Sequence, residues 1–239
     1  MILRSAHLYR TRKHLLVTLL FVIAPFLFLY VYSHLSHVTT SVLFYDIFIS
    51  FVRLFVAYAI AVTLGWLLAI SFYHGKKSFF ALPIFDVLQS FPTFAALPLA
   101  IYYWGPSTFV VIFFLVITII WPILFSIISS LKLIRSDWED VVRIEGITGV
   151  LYLKRFLWPV SIPGLITGSV IGLGEGWEAL IATEMIVGRD TGLGSFFQAH
   201  STQTSITAFG ILGFLIIIFS INKLIWIPLM EWSHRTMEG

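Results

Sequence analysis

Two glutamates interrupt an otherwise apolar stretch of the sequence, residues 160 to 183. Counted along a helix from Ser161 at about 1.5 Å per residue, Glu175 lies roughly 21 Å into the stretch, and Glu178 follows one turn later. An unpaired charge inside a bilayer costs a few kcal/mol or more, so these carboxyl groups should face water, a partner or a bound solute. The pattern indicates proton or solute binding within a membrane and no covalent chemistry.

A second group of charged residues lies between two apolar stretches, in EDVVRIEGITGVLYLKRFLWPVSIPGLITG at residues 139 to 168. Ser136 precedes Glu139 by three residues, which is the spacing of a helix capping box. Gly146 permits the left-handed conformation that ends a helix, and Thr148 is placed to cap a second one. These residues predict two short helices joined by a turn.

Pro159 closes this segment. It lacks an amide hydrogen and restricts Trp158 to extended geometry, which predicts a break in the chain before the next apolar stretch. The segment is then either a helix-turn-helix presented to the cytoplasm or an amphipathic loop resting on lipid headgroups. The charged residues that it presents are Asp137, Glu139, Asp140, Arg143 and Glu145.

The sequence lacks the residues or motifs that several kinds of catalytic and metal-binding site require. The chain has no cysteine, so disulfides, thiolate metal sites and cysteine nucleophiles are excluded. Its seven histidines lie in loops or at the ends of apolar stretches, and no H-E-x-x-H or G-x-S-x-G motif occurs. The GKKS at residues 75 to 78 lacks the earlier glycine of a P-loop. We therefore expect no enzyme activity and no metal or cofactor bound by this chain.

The composition is that of a membrane protein. Of 239 residues, 59% are hydrophobic and 11% are charged, against about a quarter charged in soluble domains. Six apolar stretches are each long enough to span a bilayer, which predicts an all-α membrane fold with about six transmembrane helices. They lie near residues 14 to 33, 51 to 72, 79 to 103, 108 to 131, 160 to 183 and 207 to 230.

The basic residues predict the orientation. They concentrate in alternate loops and at both ends of the chain, so the positive-inside rule places the N- and C-termini in the cytoplasm. The net charge of +3 is explained by this arrangement, and no nucleic-acid partner is expected. Arg53 opens the second apolar stretch, and we expect its side chain to reach the headgroups at the outer surface in preference to a buried functional role.

Glycines recur every four residues in the fifth apolar stretch, at Gly164, Gly168, Gly172 and Gly176. Such a stripe lets another helix approach closely. That helix belongs either to the same chain or to a second copy. At about 100° per residue Glu175 falls roughly 20° from Gly164, which predicts that it shares the glycine face.

The charged segment resembles a known signature. Asp140, Gly146 six residues later, Pro159 and then Pro163-Gly164 resemble the cytoplasmic loop of binding-protein-dependent ABC importer permeases, with Asp-Val-Val in place of the family's Glu-Ala-Ala. LQSFPTFAALPLAIYYWG at 88 to 105 and GWEALIATEMIVGRDTGLGSFF at 176 to 197 resemble spans of the nitrate/sulfonate/taurine branch. INKLIWIPLMEWSHR resembles the C-terminal end of related anion-transport permeases, so the resemblance covers about residues 50 to 235.

The resemblance implies a type I ABC importer permease fold. The chain would be a single transmembrane permease domain over residues 1 to 239, with a coupling loop at about 133 to 159 that docks on a cytoplasmic ATPase. The residues implied for coupling are Glu139, Asp140, Arg143, Glu145 and Gly146.

The resemblance also implies partners. They are a cytoplasmic ABC ATPase dimer that carries the ATP and Mg, an extracytoplasmic substrate-binding protein, and a second permease copy or a paralogue. The location would be the bacterial or archaeal cytoplasmic membrane, and the glycine stripe would lie near the two-fold axis of the permease pair. The residues predicted for the translocation path are Phe91, Glu175, Trp177, Glu178 and Glu184, of which Glu184 matches a family acid.

The substrate and the driving force leave alternatives. Nitrate, sulfonates, taurine, bicarbonate and nitrogen heterocycles fit the resemblance. Glu175 and Glu178 stand where the anion group is expected to have small or neutral residues, which leaves the sign of the substrate's charge open. These acids line the path or pair with Arg53 or with polar groups of another span. The alternative function is a secondary transporter that uses Glu175 and Glu178 as proton sites, although no internal repeat supports it.

Overall fold

The chain folds into helices throughout the part that a computed structural model describes, residues 2–35, 38–134, 136–188 and 191–238. Side chains are described at 18–35, 38–134, 138, 140–142, 144–188 and 191–232. The α-helices are α1 (Ile2–Leu35), α2 (Thr40–Phe72), α3 (Gly75–Gln89), α4 (Thr93–Trp104), α5 (Thr108–Lys132), α6 (Ser136–Ile144), α7 (Gly149–Tyr152), α8 (Trp158–Val187), α9 (Leu193–Ala199), α10 (Thr204–Ile221) and α11 (Ile227–Glu238). Two π-helical turns, Leu153–Leu157 and Asn222–Trp226, lie before α8 and α11.

Helix length and hydropathy make the chain a multi-pass membrane protein. Among the described residues, five helical segments are long and apolar enough to cross a bilayer, and α3 with α4 supplies a sixth if the pair counts as one span. The predicted all-α fold is confirmed. The five segments are Thr18–Leu35, Thr40–Phe72, Thr108–Lys132, Gly149–Val187 and Thr204–Trp232.

The third apolar stretch is not the continuous span that its length suggests. It divides into α3 and α4, which meet at an angle of 79°. Pro92 precedes the first residue of α4, and it has no amide hydrogen to continue the ladder of α3. Phe91 lies in the break because the residue before a proline is disfavoured in α geometry.

The helix α5 lies at the centre of the bundle, between α2 and α8. Its isoleucines Ile119, Ile123 and Ile127 are fully buried. They fall at four-residue spacing and so form one row on the helix surface. The long apolar run of α5 therefore serves mainly protein packing, and the surrounding helices supply most of the surface that faces lipid.

The glycine stripe of α8 packs against α5 of the same chain. A Cβ atom built on Gly168 would stand 2.6 Å from the Cα of Ile123, and one on Gly176 would stand 2.8 Å from Cδ1 of Ile119. Gly164 meets the carbonyl of Ser126 in the same way. The expectation that this stripe lies at a two-fold axis is therefore wrong, because α5 already covers it.

Glu175 does not share the glycine face either. It is exposed, whereas Gly172 and Gly176 beside it are buried. Glycines every four residues shift by about 40° per step around a helix, so Gly176 is turned about 120° from Gly164 and about 100° from Glu175. The prediction used only the angle between Glu175 and Gly164, and it therefore placed the carboxyl group on the wrong face.

The break predicted before Pro159 is absent. Trp158 is helical, with φ −60° and ψ −55°, and its amide donates to the carbonyl of Leu153 in a π-helical turn. Proline clashes with the carbonyl four residues earlier in an α-helix, and the wider π turn displaces that carbonyl. As a result the chain from Gly149 to Val187 forms one helical segment.

Close packing at Gly168 can be tested by comparison with Gly174 of the same helix. Gly168→Ala should lower the free energy of unfolding by about 1–3 kcal/mol, because its Cβ meets the backbone of α5. Gly174→Ala has open space around its Cβ, and it should be neutral or up to about 1 kcal/mol stabilising through helix propensity. Denaturant unfolding of the two variants in detergent, beside the parent, measures both. Equal effects of the two substitutions would contradict this packing.

Candidate functional site

The segment between α5 and α8 forms a helix-turn-helix at one end of the bundle. Gly146 has φ +67°, a left-handed conformation that ends α6, and the amide of Ile147 donates to the carbonyl of Val142. The second helix begins at Gly149, after Thr148 as predicted, although the Thr148 side chain forms no capping hydrogen bond.

The predicted coupling residues lie on this segment. Asp140, Glu145 and Gly146 are exposed. Glu139 and Arg143 are in α6, and their side chains lie outside the described set.

An apolar row on α6 was missed by the sequence reasoning. Trp138, Val141 and Ile144 follow one another at three-residue spacing, and their side chains are 52%, 57% and 83% exposed. Residues three apart lie on one side of a helix, so this short helix shows an apolar edge beside its charged residues. This spacing is visible in the sequence, but the interpretation of the segment rested on its charged residues alone. We call Trp138, Val141 and Ile144 the α6 apolar row.

The same end of α8 is fastened to α2. The indole Nε1 of Trp66 donates to Oγ of Ser161 at 2.9 Å, and the rings of Trp66 and Trp158 meet edge to face at 5.3 Å. The hydroxyl groups of Tyr73 and Tyr152 are 3.5 Å apart. The helix-turn-helix is thus connected to the bundle through α8 and through these aromatic contacts.

One side of α8 has no neighbour among the residues that the structure describes. The residues that form it are exposed and recur at helical spacing, and they include both mid-span glutamates: Thr167, Ile171, Gly174, Glu175 and Glu178. We call this set the α8 open face. Within the described residues, neither Glu175 nor Glu178 forms an ion pair, so pairing with Arg53 is not the arrangement found.

The two aromatic residues predicted for the path have different environments. Trp177 is buried in the core, where its ring meets Phe51 at 4.8 Å and Phe214 at 5.3 Å, both edge to face. This packing does not favour a path-lining role for Trp177. Phe91 is 53% exposed at the break between α3 and α4.

The opposite end of α8 carries a buried ion pair. Arg53 and Glu184 are 4% and 1% exposed, and Nη1 of Arg53 lies 2.6 Å from Oε1 of Glu184. Ser50 donates to both carboxylate oxygens, at 2.9 and 2.8 Å. Glu184 therefore lies in a closed network within one chain, which does not favour a path-lining role.

The expected position of Arg53 at the headgroups is wrong. The helix α2 begins at Thr40, so Arg53 lies more than three turns inside it. There its guanidinium also donates to the carbonyl of Thr191 at 2.9 Å. A charge buried at this depth persists because a carboxylate and the carbonyl and hydroxyl oxygens of Thr191 replace its water.

This network holds the loop between α8 and α9. The amide of Gly192 donates to Asp46, that of Leu193 to Ser50, and that of Gly194 to Glu184, each at 2.9 Å. Gly192 has φ +117°, and any Cβ there would stand 2.6 Å from the Glu184 carboxyl group. The loop thus needs glycine both for its conformation and for its approach to the carboxylate.

Comparison with known proteins identifies the family. Residues 61–227 match the family described as "Binding-protein-dependent transport system inner membrane component". The chain belongs to this family of membrane transport components. The matched range contains α8 and the helix-turn-helix, and it leaves Arg53 outside.

Three curated relatives are similar to this chain. The chain is 34% identical over 152 residues to the nitrate import permease protein NrtB of Synechocystis, covering 63% of the chain and 55% of the relative. It is 30% identical over 114 residues to the bicarbonate transport system permease protein CmpB of Synechococcus elongatus, covering 48% and 41%. The taurine transport system permease protein TauC of Escherichia coli is 28% identical over 117 residues, covering 49% and 42%.

The chain spans about half the length of the curated relatives that it matches. Within its described residues, no group of three or more His, Asp or Glu side chains is arranged as a metal site.

The buried pair makes a quantitative prediction. Arg53→Met and Glu184→Met should each destabilise the protein by about 3–5 kcal/mol, because each leaves the other charge buried and unpaired. The double variant should lose less than the sum, since both charges are then gone. Denaturant unfolding in detergent measures this double-mutant cycle. Glu178→Met, a control at an exposed acid of the same helix, should change stability by less than about 1 kcal/mol, and additive losses at Arg53 and Glu184 would contradict their pairing.

Proposed function

We propose that this permease is the membrane-spanning subunit of an ATP-driven importer of a small solute. The observation that carries the proposal is the exposed helix-turn-helix, which continues through a π turn into α8. A surface that joins a long membrane helix in this way is suited to transmit motion from a bound partner. The family match supports the assignment, and the proposed subunit performs no covalent chemistry itself.

The proposed partner at this surface is a cytoplasmic ABC ATPase dimer, which carries the ATP and Mg. The α6 apolar row would be buried in a groove of the ATPase, with Asp140 and Glu145 at its polar rim. Interfaces of this kind combine an apolar centre with a charged edge. The basic residues around the segment, Lys132, Lys154 and Arg155, support a cytoplasmic location and cytoplasmic termini.

The α8 open face is our proposed wall of the translocation path. Two carboxyl groups in a membrane span are costly against lipid, so a second permease subunit and a water-filled cavity are the surroundings that fit them. A substrate-binding protein would deliver the solute at the other end, near the loop that Glu184 holds. The path residues that we retain are Glu175, Glu178 and Phe91, which is exposed at the break between α3 and α4.

The substrate is proposed as a small polar solute. The relatives are named for nitrate, bicarbonate and taurine transport. These three compounds are therefore the solutes to test first.

The docking surface can be tested at Gly146, with Gly105 as its match. Both residues have φ near +70° and open space around a built Cβ, but Gly105 lies between α4 and α5, outside the helix-turn-helix. Valine at either position is strained by the same backbone conformation. The tagged full chain, extracted gently from its native membranes, should co-purify with an ABC ATPase. Gly146→Val should reduce that recovery more than about ten-fold, and Gly105→Val should leave it near the parent level.

Two results would contradict the proposed docking. One is a folded parent chain that recovers no ATPase. The other is equal loss with Gly146→Val and Gly105→Val, which would assign the effect to general instability.

The α8 open face can be tested by removing its charges. The Glu175→Gln, Glu178→Gln double variant should change uptake of nitrate, bicarbonate or taurine, whichever the parent transports, by about ten-fold or more in rate or in half-saturating concentration. The carboxyl groups lack an ion pair among the described residues, so stability and ATPase recovery should stay at the parent level. Unchanged uptake with normal protein levels would exclude these acids from the path.

A further inference from the structure

A cavity of about 710 Å³ lies beside the helix-turn-helix, where the end of α2, the start of α3 and the end of α5 meet. Its polar lining consists of Tyr73, His74, Ser78 and Lys132, and no carboxylate from the described residues lines it. Lys132 lies in the last turn of a membrane-spanning helix, which places the cavity at the level of lipid headgroups. The cavity thus combines a positive charge with hydroxyl and imidazole groups at a membrane surface.

Ser78 adds a hydroxyl group to this cavity. The residue is 8% exposed and lines the cavity, and among the described residues its side chain has no hydrogen-bond partner. Its oxygen is not one of the described buried side-chain atoms that lack a partner, so it is reached from the cavity and can donate to an acceptor bound there. An oxygen-rich anion is an acceptor of that kind.

The first turn of α3 adds backbone donors. The helix runs for 15 residues from Gly75, and His74 at its N-cap provides no side-chain hydrogen bond to the free amides. These amides and the helix dipole favour a negative charge. Together with Lys132 and Ser78 they supply three kinds of anion-binding group around one space.

The remaining wall is apolar. Phe79, Leu82 and Pro83 on α3 and Leu131 on α5 line it. Inorganic phosphate has no apolar part that could contact this wall, whereas an acyl chain would pack against it. The polar lining matches the phosphate headgroup of a phospholipid, and the apolar wall matches its acyl chain.

We propose that this cavity binds the phosphate of an anionic phospholipid, with its acyl chain against α3. The phosphate accepts hydrogen bonds from Ser78 and the first amides of α3 and pairs with Lys132. The site is distinct from the α8 open face and from the buried Arg53 and Glu184 network. It adjoins the helix-turn-helix through the contact of Tyr73 with Tyr152, so a bound lipid would brace the docking surface.

Native mass spectrometry of the delipidated full chain tests the site. Dioleoyl phosphatidylglycerol should bind at least about five-fold more tightly than dioleoyl phosphatidylcholine, as a single lysine at an anionic headgroup contributes on this scale. Lys132→Gln should remove most of that preference, and Lys132→Arg, which keeps the charge, should retain it. Ser78→Ala, which removes the unpartnered hydroxyl, should weaken phosphatidylglycerol without affecting phosphatidylcholine.

Lys154→Gln is the matched control, because Lys154 is exposed at the same end of the bundle and does not line the cavity. Equal losses with Lys132→Gln and Lys154→Gln would overturn the site and leave only a general charge effect. Equal binding of the two lipids by the parent would also overturn it. Displacement of phosphatidylglycerol by millimolar inorganic phosphate, dependent on Lys132, would assign the cavity to a soluble anion and overturn the lipid as its occupant.

Discussion

A charge inside a bilayer has no water to solvate it, so the chain must supply the partners of Arg53. Glu184 on α8 and Thr191 in the loop after α8 accept from its terminal guanidinium nitrogens, while its Nε has no partner among the described residues. Ser50 on α2 donates to the Glu184 carboxylate. The carboxylate in turn accepts the amide of Gly194. One buried pair therefore fixes the spacing of two long helices and the path of the loop between α8 and α9. Removal of any member leaves another polar group unsatisfied, which couples these elements energetically.

Between this network and the helix-turn-helix, α8 is positioned by shape. Its glycines bring the backbone against α5, and the isoleucine row of α5 fills the contact. Dispersion between closely fitted surfaces is the main attraction available inside a membrane, since lipid is as apolar as the side chains. With the glycine side packed against α5, the neighbouring side of α8, which carries Glu175 and Glu178, remains exposed among the described residues. The core packing thus decides which side of α8 can face a partner.

The sequence predicted those features that depend on local order, and it failed where a distant residue decides. The span count followed from the length of the apolar stretches, and Ser136 and Gly146 gave the ends of α6. The predicted position of Arg53 at the headgroups was wrong because its partner, Glu184, lies 131 residues away, and no residue near Arg53 in the sequence indicates this pairing. The glycine stripe was recognised as a contact, but periodicity does not state whether the contacting helix belongs to the same chain. The continuous helix through Pro159 depends on a π turn, which local rules for proline do not anticipate.

The two ends of α8 are held by different interactions. At one end the helix passes through a π turn into the exposed helix-turn-helix and contacts α2 through Trp66, and at the other it is held by buried charges. At about 1.5 Å per residue, its 30 residues extend roughly 45 Å, which exceeds the thickness of the hydrocarbon core. Since its glycines also pack along α5, α8 cannot pivot about one end alone, and α2, α5 and α8 form one packed unit. Under the proposed function, motion of the ATPase would move this unit as a whole, and with it the middle of α8, where Glu175 and Glu178 form no ion pair among the described residues.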